Sequence, residues 1–176
     1  MKKIFITIAF SFISLIINAQ SKDITQSNAE IFSEKPGALI QKEIVDIGII
    51  KKCKIQVVHF TDLISTTGIS AIKFEYELTS ANSIDSKSTY IDTDEIEGLL
   101  KSLKIIQEKI NSLKPANYTE IYFRSRGGLE TGCITGNGGW TTYLIIQKID
   151  DDRYIWITIA DLKTLYTLLE QAKDKL

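Results

Sequence analysis

Histidine occurs once in this chain, and cysteine and proline twice each. These scarcities narrow the chemistry before any motif is sought. One histidine and two cysteines set 80 positions apart are too few and too scattered for a structural zinc site. No CxxC pair is present, so a thioredoxin-like redox motif is excluded. Neither GxxxxGK[ST] nor GxGxxG occurs, which removes two glycine-loop signatures for nucleotide phosphates. Basic residues are not in excess either. The 21 Lys and Arg face 22 Asp and Glu, a net charge of −1. Such a chain has no general attraction for nucleic acid or anionic lipid. Past the first twenty residues, no apolar run has the length of a membrane span.

What is present begins with MKKIFITIAFSFISLIINAQ. Lys2 and Lys3 form a short basic start, Ile4 to Ile17 an apolar run, and Asn18-Ala19-Gln20 a small-residue site. This is the three-part layout of a bacterial secretory signal peptide, and the run is too short to act as a retained anchor. Cleavage is expected after Ala19, with the next bond as the alternative. No cysteine lies near the cut, which argues against a lipid anchor. Loss of Lys2 and Lys3 takes the net charge from −1 to −3. The remaining 157 residues suit one domain with a real core. Localisation is therefore expected to be periplasmic or extracellular. In that oxidising setting Cys53 and Cys133 are expected to form a disulfide, worth up to ~4–5 kcal/mol for a loop of this length.

Residues 20–37 are polar and weakly patterned, and read as a flexible lead-in with one turn of helix, ending at Lys35-Pro36-Gly37. A single domain over 38–176 follows. Ala38 to Lys51 and Lys52 to Phe60 are rich in Ile and Val. From Ala71 to Leu78 the pattern alternates, with Ile72, Phe74, Tyr76 and Leu78 opposite Lys73, Glu75 and Glu77. That predicts a half-buried antiparallel strand. Ser88 to Ile91 is a short fourth strand. The period then changes. Ile96, Leu99, Leu100, Leu103, Ile106 and Ile110 fall at helical spacing, with Asp92 as N-cap and Glu95 as its capping-box partner. The helix should end before Pro115.

The second half repeats the plan. Tyr118 to Ser125, Leu129 to Thr135, Trp140 to Lys148 and Arg153 to Thr158 read as strands. Thr158 and Asp161 then open a helix carrying Leu162, Leu165, Leu169 and Ala172. The fold class is α+β: antiparallel sheet with two helices in tandem ββββα order. That element order is similar to the tandem ββββα arrangement of some single-stranded nucleic-acid-binding folds. The resemblance covers residues 38 to 174 in order only, without their motifs, and fold likeness alone carries little function. As a whole the chain resembles small exported bacterial proteins without an assigned function.

The stretch RSRGGLETGCITGNGGW, residues 124–140, holds six of the ten glycines. A phosphate cradle needs its glycines between a strand and a helix. Here they lie between strands, so two hairpin turns are predicted, at Gly127-Gly128 and at Gly136-Asn137-Gly138-Gly139. Gly132, inside a strand, marks a bulge or a close backbone approach. His59 has the apolar neighbours Val58 and Phe60, which favours a satisfied strand histidine over a catalytic base. Asp92-Thr93-Asp94-Glu95 is explained by capping and the helix dipole, and Asp150-Asp151-Asp152 by a turn. Neither has the spaced oxygens and glycine of a calcium loop. No metal or other cofactor is expected.

Alternation in the second half is more informative. Ile121 and Phe123, Leu144 and Ile146, and Ile155 and Ile157 form aliphatic faces that should pack on helices. The opposite faces collect Tyr122, Arg124, Tyr143, Tyr154 and Trp156. Aromatic rings beside an arginine suit a sugar ring, a peptide or a partner protein. The expected function is an exported, non-catalytic binding module for an unknown protein, peptide or glycan, with no nucleic acid partner. The alternatives are a hydrolase using His59 and a structural protein whose aromatic face makes a homodimer. Export gives the first prediction. The intact mass of protein isolated from its native host should lack residues 1–19 or 1–20, and recovery of full-length chain in the cytoplasm would contradict it.

Overall fold

The computed structural model describes residues 26–79, 84–136, 138–146 and 154–176. The expected signal peptide, Asn137, the Asp150-Asp151-Asp152 turn and Arg153 lie outside the described residues. Four strands, β1 (Ile40–Ile50), β2 (Cys53–Asp62), β3 (Thr67–Thr79) and β4 (Ile84–Asp92), form an antiparallel meander in the order β1-β2-β3-β4. A second meander has the order β5-β6-β7-β8, from β5 (Glu120–Arg124), β6 (Glu130–Gly136), β7 (Gly139–Ile145) and β8 (Ile155–Ile157). A 3-10 turn at Thr93–Glu95 leads into helix α2 (Ile96–Ser112), and α3 (Ile159–Lys173) closes the chain. The tandem ββββα order is thus realised as two four-stranded sheets, each followed by a helix. Among the described residues no helix is long and apolar enough to cross a membrane.

Local sequence accounts for these elements. Ile72 and Phe74 are fully buried, while Lys73 pairs with Glu75 at 3.0 Å and Lys54 with Glu77 at 2.6 Å on the opposite face. Thr158 caps α3 by accepting from Asp161 N at 3.1 Å, and Asp161 Oδ2 accepts from Thr158 N at 2.8 Å. This reciprocal box satisfies amide groups that the first helical turn leaves open. Glu95 makes the matching bond for the first helix, accepting from Asp92 N at 3.2 Å. β4 is longer than the Ser88 to Ile91 segment expected, because pairing with β3 extends it back to Ile84.

The helices exchange sheets. α2 follows the first sheet but packs chiefly on β5 and β6; α3 follows the second but packs chiefly on β1 and β2. The two helices also pack on each other. One core results, drawing Ile55 and Phe74 from the first sheet, Leu144 and Ile157 from the second, Leu99 and Leu103 from α2, and Leu165 and Leu169 from α3. Each such side chain contributes about 1.5–3 kcal/mol by leaving water.

Within the lead-in, Asn28–Ser33 form a short helix, α1. Ala29 is fully buried, and with Phe32 it packs on Val58, Phe60 and Ala71, on the face of the first sheet turned away from α2 and α3. The N-terminus of α1 is held by Asp92, whose carboxylate accepts from Asn28 N at 2.8 Å and Ala29 N at 3.0 Å. Asp92 also receives Arg126 Nη1, while Arg126 Nη2 donates to Asp94 at 2.8 Å and Arg126 N to Glu95 at 2.7 Å. Asp92, Asp94 and Glu95 lie close enough together to suggest a cation site, but Asp92 and Asp94 are already paired with the Arg126 guanidinium and Glu95 with the Arg126 amide. Asp92 thereby ties α1, the end of β4 and the β5–β6 turn to one point.

The disulfide expected between Cys53 and Cys133 is not formed; both thiols are free and buried. Cys53 opens β2 in one sheet and Cys133 lies within β6 in the other. Both belong to the shared core as small apolar groups. Burial pushes the Cys53 thiol up to about 12 and the Cys133 thiol up to about 11. An oxidising compartment permits a bond, but only the strand geometry can bring two sulfurs together.

Helix exchange yields the second prediction. Fragments 26–115 and 116–176 each lack the helix that covers their own sheet. Separately, neither should show a cooperative thermal transition by circular dichroism; mixed, they should recover one. Independent folding of either fragment would contradict the exchange.

Candidate binding face

The outer face of the second sheet is set by register. Tyr122 pairs with Gly132, Gly132 with Tyr143, and Tyr143 with Trp156, which makes one row across all four strands. Side chains alternate along each strand, so Glu120 and Arg124 on β5 and Glu130 on β6 share this face. The helices cover only the opposite side. Tyr122, Tyr154 and Trp156 are accordingly 49%, 40% and 50% exposed, and Tyr118, just before β5, is 70% exposed.

Tyr143 departs from the expectation that it would present its ring to a ligand, because it is completely buried. The reason lies across the row. Its hydroxyl reaches Glu120 Oε1 on β5 at 2.7 Å and Glu130 Oε1 on β6 at 3.0 Å. The contact from β7 to β5 crosses β6, where Gly132, the register partner of Tyr143, carries no side chain. A Cβ at 132 would stand 2.4 Å from the Ile121 carbonyl oxygen and 2.7 Å from Tyr122 Cβ. Gly132 is therefore a close backbone approach, one of the two roles its sequence position suggested. Burial, then the neighbouring carboxylates, raise the Tyr143 hydroxyl above its ordinary value and keep it a donor.

The exposed rings stand on this buried one. Tyr154 and Trp156 stack with centroids 4.9 Å apart and planes 8° from parallel. Tyr143 meets both edge-on, at 4.9 and 6.4 Å. Such contacts add ~0.5–1.5 kcal/mol per pair beyond area burial and fix ring orientation. At the other end, Arg124 Nε donates to Glu130 Oε2 at 2.7 Å, and its guanidinium lies 5.3 Å from the Tyr122 ring centroid. Glu130 is buried, so its pairing with Arg124 offsets a costly desolvation.

Four of the five expected site residues, Tyr122, Arg124, Tyr154 and Trp156, are thus assembled on one open face, and Tyr143 supports them from beneath. Glu120 was legible, since it sits two residues before Tyr122 on the same alternation. Glu130 was not, because only strand register places it opposite Arg124. The glycine-rich stretch is strand β6 between two turns, the first at Gly127-Gly128 as expected and the second, among the described residues, at Gly138. Gly128 and Gly139 adopt positive φ of 90° and 121°. Gly127 instead packs closely on the Tyr90 carbonyl. Gly136, Gly139 and Trp140 also line a cleft of about 450 Å³ with Ile110 and Pro115 at the end of α2. His59 is satisfied by Ser70 Oγ, 2.7 Å from Nδ1 on the neighbouring strand.

The third prediction tests the support beneath the face. Gly132→Ala keeps an allowed backbone but drives a methyl into β5. A denaturant melt should show a loss of about 1–3 kcal/mol. A neutral or stabilising substitution would show that the close approach of β6 to β5 does not need glycine at 132.

No family model, curated protein or solved structure matches this chain, so its function has to be read from the face itself.

Proposed function

We propose that this protein is an exported, non-catalytic binding module, and that its ligand surface is the outer face of the second sheet. The observation that carries this reading is the exposure of Tyr122, Tyr154 and Trp156 on the same sheet face as Arg124. Single exposed apolar residues are ordinary, but grouped rings with a polar rim are typical of recognition surfaces. Tyr154 and Trp156 are also held in advance by stacking on each other and by edge-on contact with Tyr143. Ordering them on binding would cost little. Export is supported by the amino-terminal layout of a basic start, an apolar run and a small-residue site. A polypeptide or a glycan suits a flat aromatic face.

A hydrolase using His59 gains a hydroxyl partner in Ser70. However, Glu43, which faces His59 across the ladder on the edge strand β1, makes no bond to the ring among the described hydrogen bonds. The binding reading therefore stands first.

Trp156→Ala provides the test. Trp156 is half exposed, so its removal should cost about 1 kcal/mol of stability, mostly the lost ring stacking. Binding in a screen of peptides and oligosaccharides should fall sharply. Tyr143→Ala, by contrast, should cost ~3–5 kcal/mol as a core truncation. A large stability loss for Trp156→Ala with unchanged binding would defeat the reading. A dimer mass in solution that becomes monomeric in Trp156→Ala would assign the face to self-association instead.

A further inference from the structure

The two ends of this face differ in charge. At one end Arg124 lies on the Tyr122 ring and pairs with Glu130, so aromatic surface, cation and carboxylate are all supplied by the chain. At the other end of β5, beside Glu120, the described residues supply rings and a carboxylate but no cation. Glu120 is an exposed acid whose described partner is the Tyr143 hydroxyl. Among the described residues no lysine or arginine pairs with it. Tyr118 lies two positions before it, and the Tyr143 ring, whose hydroxyl bonds it, meets Tyr154 and Trp156 edge-on at 4.9 and 6.4 Å; Tyr118, Tyr154 and Trp156 are all open to solvent. Burial, and then the charges of Glu120 and Glu130, raise the Tyr154 hydroxyl above its ordinary value, in keeping with that arrangement.

We propose that this end of the face receives a lysine or arginine side chain of a polypeptide partner, seated against Trp156 and Tyr154 and paired with Glu120. The proposal rests on the reading of the outer face as a ligand surface. Charge complementarity argues for the occupant: aromatic faces carry a negative quadrupole, and the Glu120 carboxylate, bonded by a neutral hydroxyl and by no described cation, adds a negative charge. Arg124 on Tyr122 shows that this surface already holds a guanidinium in that way. A polypeptide is favoured over a free amine because the face is an open sheet. A small cation would be contacted from one side only, whereas a chain adds contacts along Tyr122 and the short edge strand β8.

The probe is a capped hexa-arginine peptide, compared with hexa-citrulline, which keeps the shape and loses the charge, and with a neutral chito-oligosaccharide. Binding is followed by Trp156 fluorescence in a Trp140→Phe background whose melt matches the parent. Hexa-arginine should bind, with affinity falling as salt rises, and citrulline should bind about tenfold more weakly. Glu120→Gln keeps an acceptor for the Tyr143 hydroxyl and removes the charge, so it should weaken hexa-arginine about tenfold while the melt is unchanged. Tyr118→Ala, at an exposed position, should weaken it several-fold and serves as the second variant if Glu120→Gln is unstable. Equal binding of hexa-arginine by the parent and Glu120→Gln would overturn the proposal. If the oligosaccharide binds, is lost in Trp156→Ala and is indifferent to Glu120→Gln, the face is a ligand surface but not one for cations. If neither probe binds and Trp156→Ala dissociates a dimer, both readings fail together.

Discussion

Asp92 is the point on which the arrangement of this molecule depends. Its carboxylate is almost wholly buried, where an unpaired charge would be expensive. It is met instead by two backbone amides of α1 and by the Arg126 guanidinium. Each partner comes from a different part of the chain: α1 precedes the first sheet, Asp92 ends it, and Arg126 lies in the β5–β6 turn of the second. Satisfying one carboxylate therefore fixes three segments at once. The adjacent bond from Thr89 Oγ1 to the Gly127 carbonyl holds the same turn to β4. Because the β5–β6 turn is pinned here, the register of Arg124 with Glu130 begins from a fixed end.

Helix exchange then decides which surfaces stay open. Two helices, each crossing to the other half's sheet, cover the inner faces and leave both outer faces to solvent or to smaller elements. The first sheet manages its outer face with α1 at one end and the Lys73–Glu75 and Lys54–Glu77 pairs further along. The second sheet has no such cover among the described residues. Its outer face carries rings, and only Tyr143 is withdrawn from water. The asymmetry between two halves of similar element order is the strongest structural sign that the second face has a task beyond folding.

The parts of this outcome that were legible in the sequence are those governed by local rules. Alternation gave the two faces of β3, and helical spacing at Leu99, Leu103 and Ile106 gave α2. Thr158 with Asp161 gave the start of α3. Other features depend on distant partners and left no local trace. Arg126 binds acids more than thirty positions away, and nothing beside it in the chain announces them. The sheet on which each helix packs is invisible for a related reason, since an apolar stripe fits either inner face. The disulfide failed because compartment chemistry was asked to settle a question of placement. Tyr143 shows the limit most clearly. A period of two assigns a residue to a face, but it cannot say that acids on two other strands will hold the hydroxyl while the ring is covered.

That covered tyrosine also explains how strand propensity becomes a defined surface. Aromatic residues favour sheets without any ligand in view, because they fit a pleated and half-buried surface. Propensity alone would leave Tyr154 and Trp156 free to turn in water. Here the Tyr143 ring meets both edges, and its hydroxyl is anchored by acids on two further strands. The anchor leaves Glu130 satisfied by Arg124 and leaves Glu120 facing solvent with its charge unmet among the described residues. One buried phenol and two carboxylates thus give the face both its rigidity and its polarity. A ligand of neutral character would use the first and waste the second, whereas a basic side chain uses both.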